Sequence, residues 1–246
     1  MEVSHIILLL LAGVASGYIN VLAGGGSILT VPLMIFMGMS GPVANGTNRV
    51  AVIAQSLASM WVFHKKGMAE WRRSLILSAL ALPGVVVGAW WGAHFDGESF
   101  RHFLSVIMVL VLVASVLEQR FSRKSENPGS WMWAYCLMPL VGFYGGLIQI
   151  GIGFLLMLIL NRVAGLDLIR TNMHKVFVVL PINMVALVIF AWQSEIVWLA
   201  GAVLAVGNAV GAWSATHVMI RSGERLVRLT LYIVSAVFIV KLLWDV

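Results

Sequence analysis

The sequence predicts an all-α polytopic integral membrane protein, on three observations: scarce charge, uncharged runs of bilayer-spanning length, and clustered basic residues. Of 246 residues, 61% are hydrophobic and only 11% charged, where a soluble domain carries about a quarter charged residues. No Asp, Glu, Lys or Arg occurs from Val3 to Asn48, Ser74 to Ala93, Pro128 to Asn161, Val176 to Ser194 or Ile196 to Ile220. Roughly 20 apolar residues cross a bilayer as a helix. Ten apolar segments result, at about 4–22, 25–38, 43–63, 74–93, 102–117, 131–149, 152–164, 172–191, 196–217 and 228–244.

The first segment follows "MEVSH", which has an acid and no Lys or Arg, so it reads as a mature span and not a signal peptide. The second, 25–38, is short and opens on three glycines. The third and fourth flank the basic connector "HKKGMAEWRR"; the fourth and fifth flank "HFDGES". "EQRFSRKSENPG" leads into 131–149, and the short segment 152–164 ends at "RVAGLDLIRTNMHK". "WQSE" separates the eighth and ninth segments, and "MIRSGERLVR" leads into the last. The four basic connectors hold 13 of the 16 Lys and Arg, the other two none. Basic residues are retained on the cytoplasmic side, which assigns these four inside and "HFDGES" and "WQSE" outside. Tryptophans near span ends, such as Trp61, Trp71, Trp131, Trp192 and Trp198, suit an interfacial belt. The single cysteine, Cys136, rules out an intrachain disulfide and reads as a small buried hydrophobe. With its charge confined to short connectors, the net +6 gives no nucleic-acid surface.

The chain repeats itself. "GVASGYIN" (13–20) matches "GFYGGLIQ" (142–149), "GTNRV" (46–50) matches "RTNMHK" (170–175), and "GVVVGAWWGAH" (84–94) matches "GNAVGAWSATH" (207–217). Equivalent connectors fall on opposite sides: Glu70 sits in a basic inside loop, its counterpart Glu195 in an outside loop. The expectation is two inverted-topology repeats, residues 1–124 and 131–246, of about five hydrophobic segments each, giving 8–10 transmembrane segments. Inversion needs an odd number of crossings per half. Five full spans satisfy it, as do three spans plus a re-entrant hairpin formed by the first two segments; the sequence leans toward five.

The glycine-rich break followed by "SILTVPLMIFMG", then "ANGTNRV", the echo "GLIQIGIGFLLMLIL" and "TNMHKVFVV" resemble the sulfite exporter TauE/SafE family, over essentially the whole chain. The resemblance implies a transporter, usually an exporter, of sulfur-containing anions such as sulfite or sulfonates, and with it a bacterial inner or plasma membrane.

An unwound backbone inside a bilayer is tolerated only where it is buried in protein or lines a watery cavity. Gly24, Gly25 and Gly26 permit such a break, Ser27 would cap the next helix, and the helix start would attract an anion. Gly151 and Gly153 occupy the equivalent place in the second half, with Asn20 and Gln149 just before the two breaks. Close helix packing by small residues is the alternative. Thr47, Asn48, Thr171 and Asn172 are expected in the first turn of their helices, as caps or as donors to an anion. Arg49 escapes the inside rule and is expected to bind an oxyanion bidentately or to snorkel. Lys175 and His174 are its rough counterparts. Gln55 and Asn183, polar and well inside spans, are either inter-helix bonds or pathway lining.

All ten acidic residues fall in connectors or at ends, so transport is passive or a proton rides on the substrate. No Walker-type loop provides ATP drive. Six scattered histidines and the lack of catalytic motifs argue against an enzyme, and no cofactor or metal is expected. A secondary carrier leads; an anion channel or passive facilitator for a non-sulfur anion, and a non-transporting assembly factor, are the alternatives. The sequence leaves homo-oligomer formation open.

Overall fold

The computed structural model describes residues 2–96, 100, 106, 129–225, 227, 229 and 230. The sequence segments 102–117 and 228–244, with Arg101 and Lys241, lie almost entirely outside the described residues. Within them the chain forms eight helices: α1 (Val3–Ala23), α2 (Ser27–Phe36), α3 (Gly41–Lys65), α4 (Trp71–Ala93), α5 (Trp131–Leu147), α6 (Ile152–Leu158), α7 (Leu168–Gln193) and α8 (Trp198–Ser222). A π-helical turn, Ile159–Val163, continues α6. Four of them, α1, α4, α7 and α8, are long and apolar enough to cross a membrane. α3 has 25 residues but carries the polar run from Asn45 to Arg49.

Glycine makes both predicted breaks. α1 ends where Gly24 turns to φ +84°, its N–H donating to the Asn20 carbonyl. α5 ends in extended Ile148, and Gly151 at φ +80° starts α6. After each break the chain folds back. Gly26 lies against Ser16 and Asn20 of α1, and at the end of the second return Ser130 N–H donates to the Val163 carbonyl at 2.7 Å. At 1.5 Å per residue, α2 reaches about 15 Å and α6 with its π turn about 18 Å, short of a hydrocarbon core of about 30 Å. Both are therefore shorter than the full spans expected at 25–38 and 152–164.

Close contacts fix the helix directions. Gly207 meets Leu10 and Val14, and Gly211 meets Val14 and Tyr18, so α1 and α8 run the same way. α3 runs with them, because Thr47 meets Val197 while Ser59 meets Thr216. α4 and α5 share a direction, with Ala81 against Gly142 and Gly92 against Leu147. α7 runs with α4, since Glu70 meets Arg170 and Val87 and Trp90 share a groove with Ile189 and Trp192. α3 opposes α7: Gly46 lies by Phe190 and Arg49 by Asn183.

Packing divides the helices differently from the sequence. α1 and α3 pack along α8, while α4 packs along α5 and α7, and the two groups meet chiefly where α3 crosses α7. Each group thus draws helices from both halves of the chain. Glycines line both the α1–α8 and the α4–α5 contacts: a methyl on Gly17 would sit 2.2 Å from the Asn208 carbonyl oxygen, and one on Gly142 1.9 Å from that of Ala81. Without a hydrophobic drive between helices in lipid, such backbone approach is what holds them. Cys136 corrects the sequence reading: it is exposed on the outer face of α5 and not buried. Apolarity alone does not separate a lipid-facing position from an interior one, because both solvents are oily.

Candidate functional site

The two breaks meet. A side chain on Gly24 would lie 2.4 Å from the Gly153 backbone, and one on Gly153 would lie 2.3 Å from Gly24 Cα. Backbone rests on backbone there, which only glycine on both sides allows. Gly25 faces the Phe154 ring, which a methyl would meet at 2.5 Å.

Beside this contact lies a cavity of about 10 Å³, room for a single water. It is lined by Asn20 of α1, Gln55 and Ser56 of α3, Gln149, Ile152 and Gly153 at the second break, and Lys175, Val176 and Val179 of α7. Gln55 Oε1, Ser56 Oγ and both side-chain polar atoms of Gln149 are buried without a hydrogen-bond partner. A buried unpaired polar group costs about 1–3 kcal/mol, so three such side chains at one cavity make it the candidate place for a polar guest. A larger groove of about 320 Å³ lies between α4 and α7, lined by Val86, Val87, Trp90, Ile189, Trp192 and Gln193. It is open and apolar, and the polar cavity is the better candidate.

The surrounding cations hold the breaks in place. Lys175 Nζ donates to the Asn20 carbonyl at 3.0 Å, to that of Val21 at 2.8 Å and to Asn172 Oδ1 at 2.5 Å. Arg49 donates to the Gly145 carbonyl at 3.0 Å and to that of Gly146 at 2.6 Å, with Asn183 Oδ1 at 3.4 Å and the Phe190 ring below. Each cation sits on the last turn of a broken helix, where unpaired carbonyls and the negative dipole end favour positive charge. Lys175, in the second half of the chain, holds α1; Arg49, in the first half, holds α5. Asn45 adds to the second clamp, donating to the Leu147 carbonyl at 3.0 Å and accepting from Gln149 N–H at 3.3 Å.

Of the residues expected at a site, Asn20, Gln149, Gly153 and Lys175 line the cavity, and Gly24, Gly25, Gly26 and Gly151 form the turns beside it. The polar residues nearby have other partners. Ser27 is the first residue of α2 and caps nothing; its Oγ accepts from Asn48 Nδ2 at 3.0 Å. Asn48 Oδ1 accepts in turn from Thr30 at 2.7 Å. Thr47 and Asn48 sit well inside α3, which begins at Gly41, so they are not first-turn caps. Thr47 Oγ1 accepts from Val197 N–H at 3.1 Å. α7 is capped by Asp167, not by Thr171 or Asn172: its carboxylate accepts from Ile169 and Arg170 N–H. Thr171 is buried and its hydroxyl has no partner. His174 belongs to a separate cluster around Glu70, which pairs with Arg170 and Arg73, while His174 Nδ1 lies 2.8 Å from Ser74 Oγ.

Ser56 and Asn45 escaped the sequence reading, and Gln55 was left between two roles. A Gln-Ser pair in mid-span was the available signal. Asn45, inside the quoted "ANGTNRV", carried none that marked it out. Among the described residues no group of three His, Cys, Asp or Glu is placed to hold a metal ion.

A family model described as "Sulfite exporter TauE/SafE" matches residues 9–242. "Probable membrane transporter protein YfcA" of Escherichia coli K12 is 26% identical over 94% of this chain and 86% of that protein. "Probable membrane transporter protein ORF9" of Sinorhizobium sp is 23% identical over 96% and 92%. One from Haemophilus influenzae is 21% identical over 97% and 94%. No solved structure matches.

Proposed function

We propose that this chain, which belongs to the sulfite exporter TauE/SafE family, carries a small sulfur-containing anion such as sulfite or an organosulfonate outward through the cavity between its two broken helices. It is an integral membrane protein of a transporter family and not an enzyme. The observation that carries the reading is the set of unpaired side chains, Gln55, Ser56 and Gln149, gathered beside Lys175 at the meeting of the breaks. Donors and one cation in a buried place can replace an anion's water shell. The cavity is too small for an oxyanion as it stands, so the breaks must part for cargo to enter. An occluded site of this kind favours a carrier over an open channel.

The two halves are read as inverted copies. The course of the matched helices supports this: α1 opposes α5, α3 opposes α7 and α4 opposes α8. The matched Trp90–His94 and Trp213–His217 pairs, each with the histidine ring near the tryptophan carbonyl, add to it. In a Cys136→Ser background, Lys66→Cys should react with an impermeant thiol reagent only from the cytoplasmic face. Glu195→Cys should react only from the opposite face. Labelling of both from one side rejects the inversion.

Because Gln149 makes no side-chain hydrogen bond among the described residues, Gln149→Leu should leave thermal stability unchanged or raised. A hydrogen bond to a charged group is worth about 1.5–3 kcal/mol, so sulfite counterflow in proteoliposomes should fall roughly 10- to 100-fold. Wild-type counterflow in this variant and in Ser56→Ala would remove the cavity as the transport site.

A further inference from the structure

The cavity's charge and its unpaired acceptors specify the protonation state of the cargo. Among the described residues that line the cavity, Lys175 alone carries formal charge, and none is acidic. The other deep cation, Arg49, is turned to the Gly145 and Gly146 carbonyls. Lys175, bonded to the Asn20 and Val21 carbonyls and to Asn172 Oδ1, offers no free donor but one positive charge, which a singly charged anion would balance. A doubly charged one would leave a unit of uncompensated charge in a buried place, which desolvation strongly opposes.

The hydrogen-bond inventory points the same way. Unpaired at the cavity are Gln149 Nε2, a donor; Gln55 Oε1 and Gln149 Oε1, acceptors; and Ser56 Oγ, which serves as either. An anion without a hydrogen satisfies the donors and leaves the acceptors stranded. A site built with buried partners for a hydroxyl discriminates against analogues that lack it.

We propose that this site takes the singly charged, hydrogen-bearing form of an oxyanion: hydrogensulfite and not sulfite, where sulfite is the cargo. The proposal rests on the cavity being the transport site. One proton then crosses with each sulfite dianion, so a single net negative charge moves, and the proton is released to water on the far side where the pH lies above the second dissociation of sulfurous acid. Proton movement so arranged needs no carboxylate in the spans, which suits a chain whose acidic residues all lie in connectors or at ends.

The test measures sulfite flux into proteoliposomes at equal internal and external pH, from roughly pH 6 to pH 9, with protein-free vesicles subtracted. In one series total sulfite is constant; in the other hydrogensulfite is constant. Above the second dissociation of sulfurous acid, flux in the first series should fall about tenfold per pH unit. In the second it should not change, and sulfate, a dianion throughout, should not compete. Flux that follows total sulfite, or falls in the second series, or is blocked by sulfate, overturns the proposal. If Gln149→Leu and Gln55→Leu carry sulfite as wild type does, the site itself fails and the inference with it. If both variants are impaired while wild-type flux ignores pH, only the protonation state is wrong.

Discussion

Arg49→Gln should unfold at markedly lower temperature or denaturant than wild type, by about 2–6 kcal/mol. The side chain is fully buried, and it satisfies two carbonyls in the last turn of α5. Glutamine is shorter and neutral, so both carbonyls lose a charged donor inside the protein, at about 1–3 kcal/mol each. Cation stabilisation of the helix end is lost with them. Arg49→Lys should fall between, since an ammonium keeps the charge but not the planar fork that reaches two oxygens. Unfolding in detergent followed by circular dichroism gives the order wild type, Lys, Gln. Equal stability of Gln and wild type would remove the clamp and return Arg49 to the role of anion ligand. Since Arg49 does not line the cavity, the Lys variant should retain the wild-type KM for sulfite.

Gly24→Val should abolish transport by keeping the two breaks apart. Two penalties act. A left-handed backbone at φ +84° costs an L-residue about 1–2 kcal/mol, more for a β-branched one. Its Cβ would also lie 2.4 Å from the Gly153 backbone, so the facing main chains must separate by ~1 Å to reach ordinary contact. Gly38 isolates the first penalty from the second: φ is +94° there, and nothing lies within 4 Å of the position a Cβ would take. Gly38→Ala should therefore be somewhat destabilised and still carry sulfite, whereas Gly24→Ala and Gly24→Val should lose flux in that order. Full sulfite flux in Gly24→Val would show that the contact of the two breaks is not part of the transport cycle.

Much of this was legible in the sequence. Glycine conformational freedom inside apolar runs located both breaks, and charge placement separated the spans from their connectors. Asn20, Gln149, Gly153 and Lys175 were singled out because repeat and break position are local signals. What escaped depends on register between distant segments. Nothing along the chain says that Arg49 faces Gly145 and Gly146, or that α1 lies on α8 and not on a helix of its own half. Caps were misassigned for a related reason. Ser27, Thr47 and Asn48 have partners across helices, and such partners outcompete the local carbonyls and amides that a sequence pattern can anticipate. Gln55 and Ser56 became informative only once their lack of partners was visible.

The exchange of helices between the two packing groups has a consequence for biosynthesis. When α1 and α3 leave the ribosome, the surface they will share, α8, lies well over a hundred residues further along the chain, still to be made. Until it emerges, the glycine face of α1 rests against lipid, and Arg49 waits in the bilayer for carbonyls of α5 not yet made. Neither packing group can therefore close before the second half of the chain has been made.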